Sequence, residues 1–266
     1  MVRKSSLYSS EYDLGAIPRR LIGGLGVCPQ HNIPAANLTQ VFKLAIRELF
    51  VNEELSYLLG ALRDGSLPKC SIKKEVTLAA DLSEEWLNEI AALASRVFSV
   101  PPERFKVYRV WTNKSTVPCF RLKIYSREVY ELLAQHCPPG NQAYWKTPEA
   151  VKASLNAKLA YLAGFYDAEG GCRNAESFLS GKTKTFQCWC SIRCKHNASP
   201  NEPLLFVKNL LQELNITSSI YDSDELVMTG IRNIREFYNT VHLRHPKKKD
   251  DLQKMLVYSG AFSADA

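Results

Sequence analysis

The sequence lacks any long apolar run, and this absence narrows the class of protein. No stretch approaches the roughly 20 apolar residues that a membrane-spanning helix needs. No apolar signal core follows residues 1–5. The eight cysteines are too few, in a chain of 266 residues, for a secreted disulfide scaffold. We therefore expect an intracellular protein, neither secreted nor membrane-bound, whose thiols are mostly reduced.

Phosphate loops, nucleophilic triads and zinc sites also lack their usual signatures. No Gly-Lys-Ser/Thr follows the glycines at 23–26, as a phosphate loop requires. Of the five histidines, His31, His136 and His196 suggest no nucleophilic triad. The cysteines of residues 188–194 follow Cys-x-Cys-x-x-x-Cys, which is not the spacing of a zinc knuckle. We expect buried thiols there instead of a metal site.

Positive charge is present in moderate excess. Lysine and arginine number 34 against 27 acidic residues, which gives a formal charge of +7. A basic chain favours an anionic partner, and nucleic acid is the commonest one. Composition alone is equally compatible with no charged partner.

Hydrophobic periodicity predicts the order helix–strand–strand–helix–strand–strand–helix twice along the chain. The predicted organisation is an irregular N-terminal extension (1–37), a first half (38–137), a linker (138–147), a second half (148–258) and a C-terminal tail (259–266). Thr147 and Pro148 predict the start of the first helix in the second half. Two similar halves in one chain mimic a symmetric dimer, and duplex DNA is a ligand that fits such symmetry.

Two segments at matching positions carry the most information. The first motif is Tyr57–Gly65 and the second motif is Tyr161–Gly170. Small residues in both, Gly60 and Gly164 among them, allow two helix backbones to approach closely. Each motif ends in a carboxylate followed by glycine, which predicts a left-handed helix stop at that glycine.

The two acids, Asp64 and Glu169, lie where a helix dipole is already negative, so they need a compensating cation. A pair of such helix ends would hold divalent metal ions between the acids. The backbone carbonyls of Arg63 and Ala168 are further candidate ligands for Mg²⁺. One metal ion would activate water and another would stabilise the leaving oxygen.

The second motif resembles the signature of the LAGLIDADG homing endonucleases, and the first motif resembles a second copy of it. Gly60 lies four residues before Asp64 but Gly164 lies five before Glu169, which predicts a helix contact shifted by one residue. The resemblance implies an α+β fold of two pseudo-symmetric αββαββα halves joined at the motif helices. Each half would offer an antiparallel, saddle-shaped sheet to the DNA major groove.

The same resemblance implies what such a protein does. It would be a monomer, with no obligate protein partner, that cuts double-stranded DNA at a long, roughly pseudo-palindromic target. The two acids would act over the minor groove and leave short 3′ overhangs. Mg²⁺ is the implied cofactor; Mn²⁺ or Ca²⁺ would substitute in the site, Ca²⁺ without turnover. The termini do not resemble those of an intein, so we expect an intron-encoded or free-standing protein.

Side chains of the predicted strands supply candidate DNA contacts. Along the strand of residues 185–195, alternation places Phe186, Cys188, Cys190, Ile192 and Cys194 on one face and the polar residues on the other. The basic run 242–249 is a candidate for phosphate contacts. The candidate DNA-binding residues are Lys69, Lys73, Thr77, Arg109, Arg121, Arg173, Gln187, Trp189, Ser191, Arg193, Lys247 and Lys248.

A basic residue beside the scissile phosphate is also implied by the resemblance, and two lysines are candidates. Lys123 lies mid-strand near the first motif, and Lys195 lies at a strand end in the second half. Either would stabilise the charge of the transition state. The first-half counterpart of Lys195 is Asp81, so we expect an asymmetric basic pocket.

Two alternatives use the same fold. One is a maturase that binds intron RNA and assists splicing, and the other is a DNA-binding regulator that does not cut. An acid in both motifs favours cleavage over the regulator but does not separate a nuclease from a bifunctional maturase.

Overall fold

The computed structural model describes residues 53–69, 72, 74–111, 117–173 and 188–259. All of them belong to one compact unit, Ile46–Ala266. The predicted extension 1–37 lies outside the described residues, as do Lys73 and Gln187. In the part of the chain that is described, no helix combines the length and apolarity needed to cross a bilayer.

The first half contains a three-stranded antiparallel sheet with helices on one face. Its order along the chain is α1 (53–61), a 3₁₀ turn (Leu62–Asp64), β1 (Glu75–Asp81), α2 (Glu84–Phe98), β2 (Lys106–Val110), β3 (Cys119–Tyr125) and α3 (Arg127–His136). The strand order is β1-β3-β2. The predicted order of elements has a strand before β1. At that position the structure has two isolated β-bridges, Ser66–Thr77 and Leu67–Gly140.

The second half repeats this order with a four-stranded antiparallel sheet, β4-β5-β7-β6. Its elements are α4 (Leu155–Glu169), β4 (Gly170–Arg173), β5 (Trp189–Arg193), α5 (Glu202–Glu213), β6 (Ser218–Tyr221), β7 (Glu225–Thr229), α6 (Ile231–Thr240) and α7 (Pro246–Tyr258). The predicted α+β fold, with an antiparallel sheet in each of two similar halves, is confirmed.

The predicted helix start at Thr147 and Pro148 is wrong. A short 3₁₀ turn, Glu149–Ala153, follows Pro148, and the extended backbone of Ser154 then interrupts the chain. The Ser154 side chain accepts a hydrogen bond from the Ala157 N–H at 3.1 Å. Because that bond satisfies one of the free amides of a helix N-terminus, α4 begins at Leu155.

One apolar core runs through both halves. It includes Leu62, Trp86 and Leu122 from the first half and Leu162 and Phe237 from the second, all fully buried. The described residues of the two halves therefore share a core instead of forming separate domains.

Candidate active site

The two motif helices, α1 and α4, meet at their glycines. A Cβ atom placed on Gly60 would clash with the Tyr161 carbonyl oxygen. A Cβ atom placed on Gly164 would clash with the Tyr57 carbonyl oxygen. The same hypothetical Cβ of Gly60 would lie 2.7 Å from the Phe165 nitrogen. Backbones this close exclude any side chain between them, so the predicted small-residue contact is confirmed.

This contact is in register in both motifs, so the predicted shift by one residue is wrong. Tyr57 corresponds to Tyr161 and Gly60 corresponds to Gly164 across the seam. The first motif has one residue fewer between its glycine and its acid than the second motif. The chain compensates after the glycine contact, where the helix tightens into the 3₁₀ turn Leu62–Asp64.

The geometry of the turn explains how the acid keeps its position. A 3₁₀ helix rises about 2.0 Å per residue and an α-helix about 1.5 Å. One α step and three 3₁₀ steps therefore span about 7.5 Å, as do the five α steps of the second motif. Asp64 and Glu169 consequently lie at similar heights beyond the glycine contact.

Neither glycine after the acid is left-handed, contrary to the prediction. Gly65 has φ −97° and Gly170 has φ −83°, both in the extended region. A Cβ on Gly65 would fall on the Thr77 carbonyl oxygen. One on Gly170 would lie 2.5 Å from the Tyr166 carbonyl oxygen. Glycine is required here by close backbone approach and not by conformation.

Asp64 is held in a confined acidic environment. Burial raises the pKa of its carboxyl to about 7, and the negative charges of Glu169 and Asp81 add to the effect. The charge of Lys248 and a hydrogen bond from the Ala80 N–H oppose the rise. Because Coulomb interactions fall off with distance, the charge effect of Glu169 on Asp64 reflects proximity of the two acids.

Glu169 opens onto a cavity beside the seam. Burial raises the pKa of its carboxyl, against the charges of Lys248 and Arg63. Glu169 and the exposed Lys195 both line this cavity, which has a volume of about 750 Å³. Among the two candidate lysines, Lys195 therefore shares a cavity with an acid, whereas Lys123 forms an ion pair with Glu75 at 2.6 Å.

Lys248 occupies the C-terminal end of α4. Its ammonium donates to the carbonyl oxygens of Tyr166, Asp167 and Ala168 at 3.2, 2.6 and 2.9 Å. Burial lowers the pKa of Lys248, while Asp81, Asp167, Glu169 and Asp64 act in the opposite direction. The Ala168 carbonyl, a predicted metal ligand, thus accepts a hydrogen bond from a lysine that had been expected to contact DNA phosphates.

The first motif is capped by a neutral group instead. The Gln142 amide donates to the carbonyl oxygens of Leu62 and Gly65. The two helix ends are therefore capped differently, by an amide in the first half and by an ammonium in the second. The prediction was that a divalent cation compensates the acids; at the second motif the structure has the positive charge of Lys248 beside them.

Arg63 is buried and binds the linker between the halves. Its guanidinium donates to the carbonyl oxygens of Trp145 at 3.2 Å and Lys146 at 3.0 Å. It also donates to the Tyr161 hydroxyl at 3.1 Å. The side chain of Arg63 thus fastens the linker to the motif seam.

A polar network lies beside the acids, and it joins two features that the sequence indicated separately, Asp81 and the basic run 242–249. Asp81 accepts a hydrogen bond from the Ser83 N–H at 2.7 Å and contacts the His245 ring Nε2 at 3.1 Å. Burial acts to raise the pKa of Asp81, but these hydrogen bonds outweigh it and lower the pKa. His245 stacks on Trp86 with ring centroids 5.1 Å apart.

Asp167 links both motif helices to α7. Its carboxylate accepts hydrogen bonds from the Tyr57 hydroxyl at 2.6 Å and from the N–H groups of Arg244 and His245 at 2.8 and 3.2 Å. Trp86 in turn donates to the Tyr57 hydroxyl at 3.0 Å.

The acid pair suits a hard divalent cation. No group of three or more His, Cys, Asp or Glu side chains within the described residues forms a metal cage by itself. Two carboxylates with raised pKa values are a donor set that Mg²⁺ shares with phosphate oxygens and water. The oxygen donors therefore fit a magnesium ion whose remaining ligands come from a substrate.

The outer face of the first sheet carries some of the predicted DNA contacts. Register places Arg121 and Lys123 on this face, with Tyr108 opposite Arg121. Thr77 is on the same face but only 7% exposed. Arg109 pairs with Phe120 on the core side at the sheet edge and lies over the Trp111 ring at 5.4 Å.

The outer face of the second sheet follows the predicted alternation. Cys190 and Ile192 are buried, while Arg193 is exposed on the opposite face and forms an ion pair with Glu225 at 3.1 Å. Ser191 lies on the outer face but is only 6% exposed. The register of β4 and β5 pairs Arg173 with Trp189. Trp189 lines an open groove on this face of the sheet.

The remaining candidates that the structure describes lie outside the strands. Lys69 is exposed in the segment after the first motif. Lys247 is exposed on α7 and forms an ion pair with Asp251 at 2.8 Å.

Comparison with known proteins places this geometry in a known fold. No protein-family model matches the chain. The chain is 24% identical over 213 residues to the homing endonuclease I-ApeI of Aeropyrum pernix, covering 76% of this chain and 86% of that protein. It is similar in structure to the homing endonuclease I-WcaI bound to its DNA recognition sequence, with a TM-score of 0.50, 17% identity and coverage of 86% and 95%. Mesophilic variants of the homing endonuclease I-DmoI match with a TM-score of 0.46, 18% identity and coverage of 72% and 96%.

Proposed function

The chain has the fold of the LAGLIDADG homing endonucleases, and on that premise we propose that it is a site-specific, magnesium-dependent DNA endonuclease. The observation that carries the proposal is the pair of carboxylates that end the two motif helices beyond the glycine seam, one of which raises the pKa of the other through its charge. An acid is retained in both motifs, which favours a nuclease over a DNA-binding protein that does not cut.

Asp64 and Glu169 would hold the divalent ions together with phosphate oxygens of the DNA. Bound there, Mg²⁺ would supply an activated water and charge stabilisation for phosphodiester hydrolysis. Residues of the chain would prepare the two acids for this role. The Ala80 N–H donates a hydrogen bond to Asp64, and the charge of Lys248 offsets the charge of both acids. Lys195 would contact a phosphate beside Glu169, since both line one cavity.

The outer sheet faces would bind the DNA major groove on either side of the seam. Arg121 and Lys123 on one face and Trp189 and Arg193 on the other would contact base edges or phosphates. Thr77 and Ser191 are largely buried, so the exposed Arg109 is the stronger candidate among the other predicted contacts on these strands. The cut would fall across the minor groove, leave short 3′ overhangs and serve insertion of an intron that encodes the protein.

The decisive experiment uses DNA in which the sequences flanking the gene's insertion point are joined. We expect the protein to cut this duplex on both strands in Mg²⁺ and to bind it without cutting in Ca²⁺. Asp64→Asn and Glu169→Gln should each abolish double-strand cutting and keep binding. Asp250→Asn, an exposed carboxylate paired with Lys254 on α7, is the matched control and should cut normally.

Two results would overturn the proposal. One is a double variant, Asp64→Asn with Glu169→Gln, that still cuts. The other is a wild-type protein that binds the joined duplex but never cuts it, which would leave a binding protein of the same fold. Splicing of the precursor RNA by a chain that does not cut DNA would favour the maturase instead.

A further inference from the structure

Two cysteines face each other next to the acidic site. Cys172 on β4 is the cross-strand partner of Cys190 on β5. Their sulfur atoms lie 3.1 Å apart, and the Tyr166 hydroxyl lies 3.1 Å from the Cys172 sulfur. Both are free thiols in this structure.

The backbone at this position suits a covalent bond between the two sulfurs. Residues paired across antiparallel strands have Cα atoms about 4.5–5.5 Å apart. Disulfides span Cα distances of about 4.4–6.8 Å. The cross-strand register therefore puts the pair within the Cα separation that a disulfide spans.

The two thiols differ in access and in protonation. Cys172 is partly exposed, whereas Cys190 is fully buried. Hydrogen bonds from Cys190 and Tyr166 lower the pKa of Cys172 despite its burial. Since the thiolate is the reactive form, Cys172 is the sulfur that an oxidant in solution meets first.

We propose that Cys172 and Cys190 form a reversible disulfide, which makes this strand pair an oxidation site three residues beyond Glu169. The oxidant is a low-molecular-weight disulfide. The Cys172 thiolate attacks one of its sulfurs and releases one thiolate, and Cys190, on losing its proton, attacks the Cys172 sulfur and releases the second. The two cysteines lose two electrons and two protons, and the small disulfide is reduced to two thiols.

The test treats the folded full-length protein with oxidised glutathione and then blocks free thiols with iodoacetamide. Trypsin should leave Cys172 in the peptide of residues 159–173 and Cys190, with Cys188, in residues 185–193. We expect these two peptides to be recovered joined, with Cys188 alkylated and a mass about 2 Da below the sum of peptide 159–173 and singly alkylated peptide 185–193, and dithiothreitol to separate them.

Variants assign the bond. Cys188→Ser should keep the link, because Cys190 is the partner that register provides, and Cys172→Ser should abolish it. Alkylation of both Cys172 and Cys190 after oxidation would overturn the proposal, as would a link that Cys188→Ser removes. The wild-type peptide map decides even if a variant fails to fold. No part of the test requires DNA, so it stands apart from the proposed nuclease activity.

Discussion

At the scale of single residues, the acidic site holds more negative charge than its buried surroundings favour. The charges of Asp64, Asp81 and Glu169 are offset by Lys248, and that of Glu169 also by the buried Arg63. An acid with a raised pKa destabilises the protein wherever it is forced to ionise. The site is therefore expected to trade stability for metal binding.

Asp64→Asn should stabilise the metal-free protein at alkaline pH. The carboxyl has a pKa of about 7 when folded and about 3.9 when unfolded. Between these values the folded state binds more protons, so the free energy of unfolding falls as the pH rises and levels off above 7. We expect the variant to gain on the order of 2 kcal/mol at pH 8 and less than half of that at pH 5.

Urea unfolding in EDTA at the two pH values measures this difference. Asp250→Asn, whose carboxylate is exposed, controls for the loss of one negative charge. Equal midpoints for wild type and Asp64→Asn at pH 8 would contradict the expected cost of the ionised acid.

Lys248→Met should destabilise the protein through the end of α4. The change removes three hydrogen bonds to main-chain oxygens and the positive charge that opposes the acids. We expect a loss of about 2 kcal/mol at pH 8. Lys249→Met, at the exposed neighbouring position, is the control and should lose little. Thermal unfolding curves that coincide for the two variants would argue against a capping role.

At the scale of elements, the glycine seam sets the distance between α1 and α4. Gly164→Ala would place a methyl group on the Tyr57 carbonyl oxygen, and neither backbone can move without separating the helices. We expect a loss of about 3 kcal/mol in the free energy of unfolding, close to the upper range for overpacked sites. Gly171→Ala is the matched control, since a Cβ there would meet nothing within 4 Å. If the two alanine variants denature at the same urea concentration, the seam is looser than this geometry implies.

Sequence patterns predicted the elements well where periodicity was strong. The predicted order helix–strand–strand–helix–strand–strand–helix is found in the second half as α4, β4, β5, α5, β6, β7 and α6. The seam was foreseen from small residues alone. The 3₁₀ turn at Leu62–Asp64 was not, because a one-residue deficit can be absorbed either at a helix contact or after it, and only packing decides between them.

The composition of the site was harder to predict than its position. The two acids were evident from the repeated motif. The burial of His245 and Lys248 was not, because a run of basic residues usually indicates a solvated surface. Their true surroundings depend on where α7 crosses the end of α4, which is a long-range contact that no local spacing encodes.

At the scale of the whole molecule, the shared core makes the two halves one cooperative unit. Tyr57 from one half and Asp167 from the other are joined by a buried hydrogen bond. We expect the described part of the chain to unfold in a single transition, with tryptophan fluorescence and far-ultraviolet circular dichroism giving the same midpoint in urea. Two resolved steps, one per half, would show that the seam is weaker than the cores it joins.

The hydrogen bonds from Arg63 to the carbonyl oxygens of Trp145 and Lys146 have a practical consequence for protein engineering. In a chimaera of this first half with the second half of a relative, a crossover before those oxygens would keep these bonds only if the new linker holds its own carbonyl oxygens in the same positions. The chimaera should therefore keep the linker of this protein as far as Lys146. Its second half should have a hydroxyl at the position of Tyr161, so that Arg63 keeps this hydrogen bond.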